Sequence, residues 1–136
     1  MLSTRSSTKS KRVEKPWGHE LHWARTEHYC AKVLFVRAGC RLSLQYHDQK
    51  VESQMLLNGK ASLELEQPGG EIAVIDMEPG EGYTIRPFQR HRLVAVEDSN
   101  ILEVSTPECG TTVRLEDDYG RGDETERSRL DDVPVA

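Results

Sequence analysis

Short apolar stretches broken by turn-forming clusters run along the middle of this chain, and within several of them apolar and polar positions alternate. In Arg41 to His47, Leu42, Leu44 and Tyr46 alternate with Arg41, Ser43, Gln45 and His47, the period of a strand with two unlike faces. Tyr29 to Arg37 is a strong apolar run, ended by Ala38-Gly39. Further strands are predicted over Glu20 to Ala24, Ser53 to Leu57, Lys60 to Glu66, Glu71 to Asp76, Tyr83 to Arg86, His91 to Val96 and Ile101 to Ser105. Asn58-Gly59 suits a tight type I′ hairpin between its flanking strands. Pro68-Gly69-Gly70 and Pro79-Gly80-Glu81-Gly82 mark two more turns. No segment carries a long helical period. The pattern therefore predicts an all-β fold, a closed antiparallel barrel or jelly roll.

Every second residue of such a barrel points inward. Inward Gln45 and His47 are unusual for a packed interior, where an unpaired polar group costs on the order of a few kcal/mol. A turn after His47 can bring Glu52 back beside them, and His91 lies further on. An amide oxygen, imidazole nitrogens and a carboxylate suit Zn, Fe, Mn or Ni better than a thiolate site would. A purely structural reading remains beside this one. It makes His47 and His91 core histidines, Glu52 a solvated turn residue and Gln45 a hydrogen-bonding partner of substrate or water.

The chain has 136 residues, enough for one domain with one core. Its net charge of -5 argues against nucleic acid as a partner. Ser3 to Arg12 is basic and lacks the apolar stretch of a signal peptide, and no run is long enough to span a bilayer. The expected organisation is a disordered tail over 1–12, a single domain over 13–121 and a loose tail over 122–136. Cys30, Cys40 and Cys109 are odd in number and form no CxxC, as expected of reduced thiols in a cytoplasmic protein.

Two motifs carry a resemblance. Gly39 to Gly59 has the spacing Gly-x5-Gln-x-His-x4-Glu-x6-Gly, and it resembles the first motif of the cupins, small metal-binding β-barrels, with Gln45 in the first His place. Gly80 to His91 resembles the second cupin motif, with Arg86 in its Pro place and Phe88 in its Gly place. More narrowly, LSLQYH with Lys32 upstream, His91-Arg92, the opening KPWGHE and the closing RLEDDYGR over 114–121 resemble the C-terminal cupin domain of type II mannose-6-phosphate isomerases. That resemblance implies a cupin barrel with one divalent metal, foremost Zn, held by Gln45, His47, Glu52 and His91. It also implies a homodimer. The chain departs from the family at Asp48-Gln49-Lys50, where the isomerases tend to have His-His-Arg. No Gly-rich nucleotidyltransferase signature is present, so GDP-mannose synthesis is not expected.

Other residues have two readings each. Lys32 shares a strand face with Leu34 and Val36; it is a rim residue, or an anion anchor or proton donor. Arg86 pairs with a surface acid or meets an anionic group. Arg92 is expected to point outward, Tyr83 to join the core, and Trp17 and Trp23 to pack or cap the barrel. Tyr119 and Arg121 end the chain's YGR and fold back toward the barrel mouth, or belong to a solvated tail. The expected activity is a metal-dependent reaction on a small anionic metabolite, in its most concrete form aldose–ketose isomerisation of a sugar phosphate, with Glu52 and Lys32 as catalytic groups. Lys32, Arg86, Tyr119 and Arg121 are the expected substrate contacts. The alternatives are a stand-alone cupin of specialised metabolism, performing a rearrangement or N–N bond formation beside an aminoacyl-ligase partner, and a non-catalytic metabolite-binding barrel.

Overall fold

The computed structural model describes Ser7, residues 9–107 and residues 109–129. Among these, eleven strands form two sheets. One has the order β1 (Lys11–Lys15), β2 (Gly18–Arg25), β3 (Cys30–Val36), β10 (Ser99–Ser105), β5 (Glu52–Asn58) and β8 (Gly82–Ile85). The other has the order β11 (Thr112–Glu116), β4 (Leu44–His47), β9 (His91–Ala95), β6 (Ala61–Glu66) and β7 (Ile72–Asp76). All the pairings are antiparallel.

The apolar side chains facing inward from both sheets make one cluster, including Trp17, Leu34, Val36, Leu56, Leu63, Ile85, Leu93 and Ile101. It fills one part of the barrel. Elsewhere the same strands carry Lys32, Gln45, His47, Glu52, Gln54, His91 and Glu103, all half-buried or buried. Strand period thus continues from an apolar core into a polar cavity without changing which face points in. Trp17 belongs to the core, and Tyr83 packs against it with its hydroxyl accepting from the Glu78 N–H at 3.3 Å. Trp23 lies half exposed, at 45 %.

Two expectations need correction. The strands flanking Asn58-Gly59 do not form a hairpin, because β5 pairs with β10 and β8 while β6 pairs with β7 and β9. Gly59 instead carries the chain from one sheet to the other. Its φ of 98° is left-handed territory, and a Cβ there would run into the backbone of Asp98 and Ser99. The tails are also shorter than expected. Lys11 and Arg12 already pair with β2, opposite His22 and Leu21. Beyond Arg121, Glu124 makes a bridge to Thr112, and Glu126–Arg129 forms a helical turn, α1. Residues 1–6, 8 and 130–136 of the expected tails lie outside the described residues. Neither β1 nor β11 was expected as a strand. Both are edge strands: KRVEK has a single apolar residue, while TVRLE does alternate, with Val113 and Leu115 set between Thr112, Arg114 and Glu116.

Candidate metal centre and its polar cavity

Strand β4 delivers Gln45 and His47 to the interior, β5 opens on Glu52, and β9 opens on His91. Gln45 and His91 face each other across the β4–β9 pair. His47 Nε2 lies 3.2 Å from Glu52 Oε1, and His91 Nε2 lies 3.0 Å from the same oxygen. One ligand atom from each of the three residues falls within 4.8 Å of the others, and all three residues are buried.

The rings are held from behind. His91 Nδ1 donates to the Gln89 carbonyl at 2.9 Å, and His47 Nδ1 lies 2.8 Å from the Thr112 hydroxyl. A carbonyl only accepts, so His91 carries its proton on Nδ1 when neutral and turns the Nε2 lone pair toward Glu52 Oε1, another acceptor. Such a pair repels unless a positive charge joins it, either a proton on Nε2, which then donates to the carboxylate, or a metal ion between the two atoms. Burial, with smaller contributions from Lys50 and His91, outweighs the pull of Glu52 and lowers the His47 pKa, favouring the neutral ring that ligates metal. The donor set therefore fits a divalent ion of the Zn, Fe, Mn or Ni type, with outer partners of the kind that orient such ligands.

Gln45 stands beside this trio. Its Oε1 accepts from the Ser43 hydroxyl at 2.6 Å, and its Nε2 is 3.5 Å from His91 Nε2. In this orientation the nitrogen faces the cluster. Ligation through oxygen requires the amide to turn over, with Nε2 then donating to the Ser43 hydroxyl.

The loop before His91 explains a motif position. Phe88, in the place the second cupin motif gives to glycine, has a φ of 65°, and its N–H donates to the His47 carbonyl at 2.7 Å. A non-glycine residue held there costs about 1–2 kcal/mol. The bond ties the His91 loop to the strand that carries His47.

Several groups not singled out in the sequence complete the cavity. Lys50 Nζ lies 3.2 Å from Glu52 Oε2 and 3.8 Å from Glu103 Oε2. Lys32 Nζ lies 3.5 Å from Glu103 Oε2 and 3.4 Å from Glu20 Oε1, and Glu20 also meets His22 Nε2 at 2.8 Å. Gln54 donates to Glu103 Oε1 at 3.2 Å. Glu103 sits directly opposite Lys32 on one side and Gln54 on the other, so one row crosses β3, β10 and β5. Burial is the largest influence on the Glu52 carboxyl and pushes it up, but Lys50 and the hydrogen bonds from His47 and His91 together hold it well below the usual range. Glu103 goes the other way: burial and the neighbouring Glu52 charge raise it to about 7. Burial also opposes ionisation of Glu20, yet Lys32 and His22 keep its carboxyl far below the usual range.

The raised Glu103 carboxyl predicts a pH-dependent stability in the metal-free protein. Its folded pKa exceeds the unfolded value, so its contribution is complete below about pH 4 and is lost as pH rises through 7. Glu103→Gln lacks that loss. The variant is expected to gain on the order of 2 kcal/mol over the parent between pH 5 and pH 8. Urea melts of both proteins across that range would check this, and parallel curves would refute it.

The remaining expected site residues divide. Lys32 and Arg121 line the cavity. Tyr119 packs against the core beneath the Arg121 guanidinium, which stands 5.4 Å from its ring centroid and is clamped on Asp117. Arg86 is exposed and lines a separate surface groove with Pro87, Phe88 and Gln89, so it does not meet the metal cluster. Its strand, β8, ends at Ile85 directly opposite Glu52, and Arg86 falls in the turn that follows, outside the lining of the cavity. Arg92 does point away from the barrel interior but is buried, not solvated. Its guanidinium donates to the carbonyls of Leu42 and Glu116 and closes the seam beside β11. Lys32 and Glu103 share a legible signal, each a lone charge within an apolar strand; Arg114 opens the RLEDDYGR stretch and Lys50 closes Asp48-Gln49-Lys50, but no local period marks either as a cavity residue.

A two-sheet antiparallel barrel with a His-Glu-His cluster inside defines a cupin. Residues 3–121 match the family described as mannose-6-phosphate isomerase C-terminal, and the chain belongs to that family. Among solved structures it is similar to KdgF from Halomonas sp., at 22% identity and a TM-score of 0.61, covering 74% of this chain and 87% of that one. An RmlC-like cupin from Shewanella frigidimarina is 13% identical with a TM-score of 0.63, covering 79% of this chain and 95% of that one. A variant of oxalate decarboxylase from Bacillus subtilis is 15% identical with a TM-score of 0.64; 77% of this chain aligns with 31% of that one. At these identities the likeness is one of fold. No curated protein matches the chain. Among the described residues no helix is long and apolar enough to cross a membrane.

Proposed function

We propose that this protein is a metal-dependent cupin enzyme acting on a small anionic metabolite, most concretely a sugar-phosphate aldose–ketose isomerase of the mannose-6-phosphate isomerase kind. The observation that carries the reading is the convergence of His47, His91 and Glu52 beside a buried row of acids and amines, in a chain of that family. His47, His91 and Glu52, with Gln45 after its amide turns, hold the ion. A bound divalent ion supplies polarisation of a substrate carbonyl and stabilisation of enediolate charge. Both Glu52 oxygens already have partners, His47 and His91 on Oε1 and Lys50 on Oε2, which suits a ligand better than a proton carrier. Lys32, Lys50 and Glu103 line the same cavity, which supports a role for them in moving the proton between neighbouring carbons. Lys32 and Arg121 supply positive charge for an anionic group.

The test is incubation of zinc-, manganese-, iron- or nickel-loaded protein with mannose 6-phosphate in heavy water. Fructose 6-phosphate carrying solvent deuterium is the expected product. Tight binding without turnover would instead favour a metabolite-binding barrel.

We also propose a homodimer. The outer face of the six-stranded sheet exposes Leu21, Trp23, Leu57 and Val104, at 36 to 45 % each. Sedimentation is expected to give twice the 15.4 kDa chain mass, and Trp23→Glu with Val104→Glu to give the single chain. A monomeric parent protein would end this proposal.

A further inference from the structure

The cavity beside the metal cluster is small, about 50 Å³, against the roughly 150 Å³ that accommodates a benzene-sized guest. A wider groove of about 440 Å³ lies against it. Lys15, Arg114, Arg121 and Glu124 line both spaces and so form the partition between them. Arg114 is directly opposite Gln45 across β11 and β4, and Gln45 is directly opposite His91, so one row of the sheet runs from the partition to the metal cluster.

The Arg114 guanidinium is incompletely satisfied. One Nη donates to the Gly122 carbonyl at 2.6 Å and the other to Glu124 Oε2 at 3.1 Å. Its Nε is buried and has no hydrogen-bond acceptor among the described residues. A buried charged donor without an acceptor is costly, and an oxyanion reaching Nε and the adjacent Nη removes that cost. Glu124 already places a carboxylate at one of those positions. The segment that carries Glu124 is held by the bridge to Thr112, the strand residue behind His47.

We propose that Arg114, flanked by Arg121 and Lys15, is the phosphate-binding subsite of this cavity, and that Glu124 occupies it in place of the phosphate until ligand displaces the carboxylate. This deepens the enzyme reading above and rests on it, because the phosphate and the metal would take hold of one substrate. The reacting carbons fit the small inner cavity, while the phosphate stays at the partition and the wider groove gives it entry. Lys15, Arg114 and Arg121 line both spaces, and beside the carboxylates that Arg114 and Arg121 already hold, a phosphate dianion gains more from this positive lining than a carboxylate of single charge does.

The test uses inorganic phosphate and metal-free protein, followed by calorimetry, with acetate as the comparison anion. Glu124→Gln is expected to bind phosphate about 10-fold more tightly than the parent, and Arg114→Gln about 10-fold or more weakly. Acetate is expected to bind poorly to all three. The gain in Glu124→Gln cannot come from misfolding. Unchanged affinity in that variant, or acetate binding as well as phosphate, would overturn the subsite. His47→Ala is expected to bind phosphate as the parent does. A protein that binds phosphate in this pattern yet takes up no metal would keep the subsite and lose the enzyme reading.

Discussion

His47→Ala is expected to abolish stoichiometric metal binding and, with it, turnover. The variant loses one of two imidazoles and leaves Glu52 Oε1 with His91 alone. The loss in affinity should exceed the roughly 10–100-fold that follows removal of an outer-sphere partner. Thr112→Val provides that smaller step, because Thr112 holds His47 Nδ1 at 2.8 Å without touching the ion. Metal content by elemental analysis after dialysis, together with competition against a chelator, would rank the three proteins as parent, Thr112→Val, His47→Ala. Equal metal content in all three would refute the assignment of this cluster as the metal centre.

The second large effect concerns Lys50. Its ammonium is the cation nearest Glu52 Oε2 and also approaches Glu103, with all three side chains at most 6 % exposed. Lys50→Met removes that cation from between two buried carboxyls. Breaking a buried pair by deleting one partner costs about 3–5 kcal/mol. The metal-free variant is therefore expected to melt far below the parent. Bound metal should restore part of the loss, since an ion on Oε1 offsets the Glu52 charge. Adding Glu103→Gln to Lys50→Met should restore a further part, and a double-mutant cycle would measure the coupling. A melting curve for Lys50→Met that overlays the parent would show that the ammonium does not support this cavity. The family tends to have arginine near this place in its His-His-Arg run; here the buried lysine serves the carboxylates.

Period and spacing carried much of the fold and the centre of the site. Alternation in Arg41 to His47 puts Gln45 and His47 on one face, and the motif they belong to marks that face as the inward one, as it is in β4. The two motif spacings select His47, Glu52 and His91 from five histidines and many acids. These are local properties, since a strand's facing is set every second residue and a motif is a count along the chain. Neighbouring strands are a different matter. That β10 lies between β3 and β5 is a long-range pairing, and it alone turns Lys32, Glu103 and Gln54 into one row. The pairing of β5 with β10 and β8 likewise overrides the hairpin that Asn58-Gly59 suggests locally.

The sequence by itself therefore determined an all-β barrel with an inward His-Glu-His set, because side-chain facing and motif spacing follow from covalent order. Only the tertiary structure decided that Lys50 lies against Glu52, that Arg86 faces outside the cavity, and that Glu124 returns to Arg114. Each of those contacts depends on how strands and loops distant in the chain stack side by side, and no period within one strand encodes that.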